Sequence, residues 1–228
     1  GECADEIFGG YPWFHKKECF EADTFPWSMD FKPRTMLLRE DVLRELPIEE
    51  YVSVAYHKTI AETPVLEGER GEEKRRREIS YLNLRWFMQT LLDRMDRTSM
   101  HVGLEARVPF ADHRIIEYAW NVPWDMKYRN GVVKALLRAA GKEYLPEEVL
   151  YRRKSPYPKT YDPAYEQLVR GYMLEVIEDV DAPIRALIDG EKVKQFMEQP
   201  SDYARPFYGQ LMAGPQLLAY LLQVNDWL

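Results

Sequence analysis

Cysteine is nearly missing from this chain: Cys3 and Cys19 are the only two. They form no C-x-x-C pair and have no partner histidines at ligand spacing, which excludes a zinc site and a disulfide framework and fits a reducing, cytoplasmic setting. Long apolar runs are missing as well. Stretches such as QLLAYLLQV fall far short of the roughly 20 residues a spanning helix needs, and no charged-then-apolar leader opens the sequence. A soluble protein is expected. Basic residues are not in excess: 31 Lys and Arg against 38 Asp and Glu leave a net charge of −7, so nothing draws the whole chain to nucleic acid or a membrane surface. The four histidines, His15, His57, His101 and His113, form neither an i,i+4 pair nor a triad, which argues against zinc-protease and serine-hydrolase chemistry. Strand signals are scarce too, since no run alternates apolar and polar residues for long and no βαβ unit is visible.

What is present is helical periodicity over 228 residues, 46% of them hydrophobic and 13% aromatic, enough to fill a real core. TMLLREDVLRELP repeats apolar residues at three and four, and Pro47 restarts a helix in IEEYVSVAYHKTIAET. Pro64 and Gly68 break the pattern. From Glu69 to Met95 acids and bases give way to YLNLRWFMQTLLDRM, which predicts one long helix, exposed first and buried later. Asp112 is placed to cap HRIIEYAWNV, and further helices are expected in GVVKALLRAA, YDPAYEQLVRGYMLEVIED, EKVKQFMEQ and YGQLMAGPQLLAYLLQVNDWL, the last kinked at Pro215. The chain reads as mainly α and as a single domain over 1–228. The stretch RRKSPYPKTYDP reads as an extended loop carrying Arg152, Arg153, Lys154 and Lys159.

Three segments have the residue types for chemistry. The opening GECADEIFGGYPWF places glycines around a short acidic turn entering a helix, where unpartnered N–H groups favour anions. Glu2, Asp5 and Glu6 would repel a phosphate unless a divalent cation bridges them, so the loop suits Mg²⁺ with pyrophosphate; equally, Asp5 and Glu6 serve the helix dipole alone. The cationic loop at Arg152 to Lys159 is able to neutralise a phosphoryl group or simply to be solvated. In DRTSMHVGLEARVPFAD, Asp96, Arg97, Glu105 and Arg107 alternate in sign in an apolar neighbourhood, which reads as buried ion pairs.

Taken together, GECADEIFGGYPWF, DRTSMHVGLEARVPFADHRIIEYAW and NGVVKALLRAAGKEYLPEEVLYRRKSP resemble, in order and spacing, the synthetase domain of glutamine-dependent asparagine synthetases, whose opening motif is S-G-E-G-[AS]-D-E-x-F-G-G-Y. The resemblance covers Gly1 to about Pro158. It implies an ATP-dependent amide ligase: ATP adenylates the side-chain carboxylate of aspartate, pyrophosphate leaves, and ammonia drawn from glutamine displaces AMP. Carried over position by position, it implies that Glu2 orients or deprotonates ammonia, and that Asp5 holds Mg²⁺ on the pyrophosphate beside Gly1. Lys154 then contacts the phosphates during adenylation, with Lys134 as a second phosphate-side lysine. Ala106 and Val108 match positions that wall an internal ammonia passage.

The same resemblance implies the fold: the helical C-terminal portion of an α/β adenine-nucleotide α-hydrolase-like (PP-loop) domain, with its parallel sheet largely missing. The family's S-G-G-x-D-S-[ST] nucleotide loop and its glutaminase domain do not occur in the 228 residues, so the chain is expected to be a part of a longer enzyme, inactive alone. Its uncovered apolar surface is expected to favour homo-oligomers. Cys3 stands where the family has glycine, a costly exchange if the position needs a positive φ. Two other readings fit the same residues: a relative that amidates another carboxylate, and a helical remnant without a catalytic role.

Overall fold

The computed structural model describes residues 1–153, 162–199 and 214–228. These are mainly helical, with a single two-stranded antiparallel sheet among the described residues. The parallel sheet of a PP-loop domain is not found among them. The chain divides into two compact units, one of residues 1–26 with 52–153, the other of residues 27–51 with the described part of 154–228.

The first unit is built around the short helix Ala4–Phe8. Its apolar side chains Ile7 and Phe8 pack with Cys3, Met88 and Ala119, and Val108, Ile115, Ile116 and Leu136 close over that cluster. The long helix expected from Glu69 onward is present as Gly71–Leu82 and Gln89–Met100, joined by a π-helical turn at Asn83–Met88. Its first turn is exposed as expected, at residues 71–74, but burial is confined to the middle, from residue 78 to residue 88, and does not extend to the end. Glu78, Ile79 and Leu82 are buried in the first half, whereas no residue of Gln89–Met100 is. The reason lies in Arg75 and Arg77, which turn the charged half inward. Arg75 donates to the carbonyls of Phe20 and Ala22 and to the Tyr56 hydroxyl, and Arg77 pairs with Glu69 at 2.6 Å and donates to the Trp120 carbonyl.

The π turn re-aims the aromatic side chains of the rod. Phe87 meets Tyr11 and Trp13 edge-on, at 5.2 and 5.0 Å between centroids, and Trp86 donates its indole N–H to Thr59 at 3.0 Å. Asn83 at the start of the turn is fully buried, and neither end of its amide has a hydrogen-bond partner among the described residues. Such a wide turn often accompanies a functional segment.

Asp112 caps His113–Trp120 as expected, accepting from the Arg114 N–H at 2.9 Å. The helix expected over GVVKALLRAA is only half present. Tyr128–Arg129 and Val132–Val133 form a hairpin, and the helix starts at Ala135. Asn130 and Gly131, at φ 52° and 78°, supply the two left-handed residues a tight two-residue turn requires.

The second unit packs Pro163–Glu178, Gly190–Glu198 and Gly214–Trp227 about one core. Val169, Met173 and Ile177 fall on one face at spacings of four and meet Val193, Met197, Leu217, Leu218 and Leu221. Asp162 and Asp189 cap the first two of these helices. Leu38 bridges to Ile188, flanked by bonds from the Arg39 N–H to Leu187 and from the Asp189 N–H to Leu37. The described part of the last helix begins at Gly214, next to Pro215, and the segment on the far side of the expected kink lies outside the described residues.

Candidate active site

The opening helix is held between two left-handed residues. Cys3 precedes it at φ 71° and Gly9 ends it at φ 70°, with the Gly10 N–H returning to the Asp5 carbonyl at 2.8 Å. The positive φ that would make a side chain costly at position 3 is therefore real, and Cys3 adopts it while 1% exposed. For a non-glycine residue this conformation costs roughly 1–2 kcal/mol. Burial and the nearby Glu6 and Glu2 carboxylates push the Cys3 thiol up to about 12, so it is no nucleophile.

The three carboxylates of the loop do not converge, which corrects the expectation that one cation bridges them. Glu6 turns inward, 2% exposed, and accepts from the Tyr11 hydroxyl at 2.5 Å. Burial raises its pKa, opposed by the Tyr11 hydrogen bond and reinforced by Asp5 and Glu2. Tyr11 is raised in turn by burial and by Glu6, so its proton stays on the phenol. Glu2 points toward Arg94 on Gln89–Met100, at 3.5 Å. Asp5 meets the Lys134 ammonium at 3.0 Å, each side chain about one-fifth exposed. Among the described residues no three His, Cys, Asp or Glu side chains gather as a metal cluster.

Asp5 has room only because residue 10 is glycine. A Cβ there would lie 1.8 Å from Asp5 Oδ1 and 2.7 Å from Cγ. Gly9 is as tightly placed, since a Cβ would meet the Trp124 ring at 2.5 Å. Lys134 reaches Asp5 from a second left-handed backbone, φ 55° and ψ 36°, at the foot of Ala135–Gly141. Arg138 fixes that corner, donating to the Val133 carbonyl at 3.0 Å and also to the Leu150 carbonyl.

Of the residues expected to act, the structure brings Asp5 and Lys134 together and sets Glu2 two residues before the same helix. Gly1 is exposed next to them. Val108 packs against the Cys3–Phe8 cluster, and Ala106 is half-buried on the same irregular segment. Lys154 and Lys159 lie outside the described residues, while Arg152 and Arg153 are exposed. The buried ion pairs expected around Arg107 are not found among the described residues: Arg107 and Glu105 pair at 3.0 Å with side chains 80% and 66% exposed, because the segment keeps Val108 and Phe110 on the core instead. Arg94, Gly10 and Tyr11 carry geometry that the sequence did not single out. Gly10 follows from the G-G pair, but no local signal marks Arg94.

Magnesium fits this arrangement in one form. Asp5 offers a single carboxylate, and Mg²⁺ is commonly held by one or two carboxylates together with substrate phosphate oxygens. No helix of the described residues is long and apolar enough to cross a membrane.

Comparison with known proteins identifies the family. The asparagine synthase family description matches residues 1–228. Asparagine synthetase [glutamine-hydrolyzing] 3 of Bacillus subtilis (strain 168) is 47% identical over 228 residues, all of this chain and 37% of the relative. Asparagine synthetase [glutamine-hydrolyzing] 1 of the same organism is 25% identical over 190 residues, 69% of this chain and 30% of its own length. The mouse asparagine synthetase [glutamine-hydrolyzing] is 45% identical over 67 residues, 28% of this chain and 12% of its own length. The chain thus spans little more than a third of the length of the first of these relatives and matches less of the other two, and with a family match from its first residue to its last it belongs to the asparagine synthase family.

Proposed function

We propose that these residues form the pyrophosphate side of an ATP-dependent amide ligase that converts aspartate to asparagine through a β-aspartyl-adenylate, with ammonia drawn from glutamine. The observation that carries the reading is the Asp5–Lys134 pair at 3.0 Å, an acid and a base from distant segments met in a notch that only Gly10 leaves open. Asp5 would hold Mg²⁺, which when bound neutralises charge on the departing pyrophosphate.

In this reading Lys134 and the exposed loop N–H groups near Gly1 bind phosphate oxygens, and Lys154 joins them during adenylation. Glu2, oriented by Arg94, receives or positions the incoming ammonia. Glu6 and Tyr11 take no part in proton transfer; their mutual hydrogen bond fixes the turn that carries Asp5. Ala106 and Val108 line the approach, where small apolar side chains disfavour water and charge. The chain is then the helical portion of a PP-loop synthetase domain working in the cytoplasm, as a homo-oligomer, and the 228 residues alone make no asparagine.

Calorimetric titration with Mg-pyrophosphate tests the site. Binding should weaken about tenfold or more in Asp5→Ala, the equivalent of one charge-assisted contact of roughly 1.5–3 kcal/mol. Binding unaffected by Asp5→Ala would overturn the assignment, and asparagine made from aspartate, ATP and ammonia by the 228 residues would overturn their inactivity.

A further inference from the structure

We infer that Lys134 is a placeholder cation: its ammonium neutralises Asp5 until a divalent metal takes that carboxylate, and it then turns to the phosphate that arrives with the metal. This rests on the reading of Asp5 as the metal-binding carboxylate and adds what Lys134 does before and after.

Three observations and one electrostatic argument point this way. The ammonium sits 3.0 Å from Asp5 Oδ1, the oxygen confined by Gly10, so the lysine occupies a position from which a metal would contact the same atom. One carboxylate cannot pair fully with both cations, and charges this close compete strongly in a partly buried site. The lysine is also held in place by more than its flexible stem. Its backbone is left-handed, and Arg138 ties the preceding Val133 carbonyl, so the conformational cost is met by surrounding structure. Finally, the loop carboxylates have partners of different kinds among the described residues: Asp5 meets an ammonium, Glu2 a guanidinium and Glu6 a phenol. A compact ammonium on a four-carbon stem can swing to a phosphate oxygen, whereas a guanidinium fork is committed to its partner.

The test uses Mn²⁺ alone and Mg-pyrophosphate as separate probes. Lys134→Met removes the competitor and the phosphate contact together, so the two affinities should move in opposite directions. Mn²⁺, read by paramagnetic resonance, should bind about fivefold tighter or more, and Mg-pyrophosphate about tenfold weaker. Lys134→Arg should weaken Mn²⁺ relative to Lys134→Met. A second readout needs no variant: acylation of Lys134 by a small active ester, followed by peptide mass spectrometry, should speed up with Mn²⁺ alone and slow down with Mg-pyrophosphate. If Mg-pyrophosphate binding is indifferent to Asp5, the reading of the site fails. If that binding depends on Asp5 but Lys134→Met shifts both affinities the same way, or labelling ignores Mn²⁺, the placeholder role alone is overturned.

Discussion

Replacing Gly10 by alanine isolates the notch that gives Asp5 its position. The backbone of residue 10 is not left-handed, so alanine suffers no conformational strain there, and any cost comes from the new methyl group. That methyl would stand 1.8 Å from Asp5 Oδ1, 2.7 Å from its Cγ and 3.1 Å from its Cα. Real Cβ atoms do not approach other heavy atoms within 3.0 Å, so the carboxylate must move by more than an ångström, which ends its contact with Lys134. Overpacking of this kind costs about 1–3 kcal/mol, and losing the ion pair with Lys134 adds about 1 kcal/mol, which brings the expected destabilisation to roughly 2–4 kcal/mol. Urea unfolding of four proteins separates the causes: wild type, Gly10→Ala, Asp5→Ala and the double variant. With Asp5 already truncated, the two closest contacts are gone and the nearest remaining one is the Asp5 Cα at 3.1 Å, so Gly10→Ala should then cost under about 1 kcal/mol, a coupling of about 1–3 kcal/mol. Affinity for Mg-pyrophosphate should fall with Gly10→Ala as far as with Asp5→Ala. An equal cost of Gly10→Ala in both backgrounds would refute the steric argument.

Lys127 gives a pH-dependent prediction. It is 6% exposed, and burial with the neighbouring Arg77 guanidinium lowers it from 10.5 to about 8. Between those values the unfolded chain binds the proton and the folded chain does not, so stability rises with pH across that window and is level below it. Lys127→Met should therefore stabilise the protein at pH 7 by up to about 3 kcal/mol, with the gain vanishing toward pH 10.5; urea midpoints of both proteins at pH 7, 9 and 10 check this, and a gain independent of pH contradicts it. Cys3 reverses an ordinary ranking. Cys3→Gly and Cys3→Ala lose the same thiol packing, but only glycine relieves the left-handed backbone, so the glycine variant should be more stable than the alanine variant by about 1 kcal/mol in thermal unfolding. Alanine equal to or better than glycine would show that no strain is stored there.

How much of this was readable in the sequence depended on how local the cause is. The Asp112 cap is local and appears as expected, and the helix expected over YDPAYEQLVRGYMLEVIED is present as Pro163–Glu178 with Val169, Met173 and Ile177 on one face. The hairpin is equally local: Asn130-Gly131 is a strong turn signal, although the helical pattern of the residues after it runs back over it in the sequence. The early burial of the charged half of the long rod was not readable, because it depends on what Arg75 and Arg77 find: carbonyls of Phe20, Ala22 and Trp120, from other segments. A run of arginines looks like a solvated face until those partners are known.

The candidate site shows the same division more sharply. Family likeness gave Asp5 and Lys134 related roles on the phosphate side without placing them in contact, and composition gave three carboxylates without saying that each has its own partner. What decides between a shared metal cluster and separate pairs is the direction of each side chain on one short helix. Along Ala4–Phe8 successive residues turn by about 100°, so Asp5 and Glu6 cannot face the same ligand, and Cys3 at φ 71° turns Glu2 away again. Glu6 is thereby sent to the interior, where Tyr11 meets it, and Asp5 to the side where Gly10 leaves space and Lys134 arrives. The division of labour among the three acids follows from helix geometry once the helix is known to begin at Ala4. A glycine at position 3 would preserve that direction without strain, whereas an ordinary φ there would aim Glu2 away from Arg94 and leave only Asp5 and Glu6 with the partners they have here.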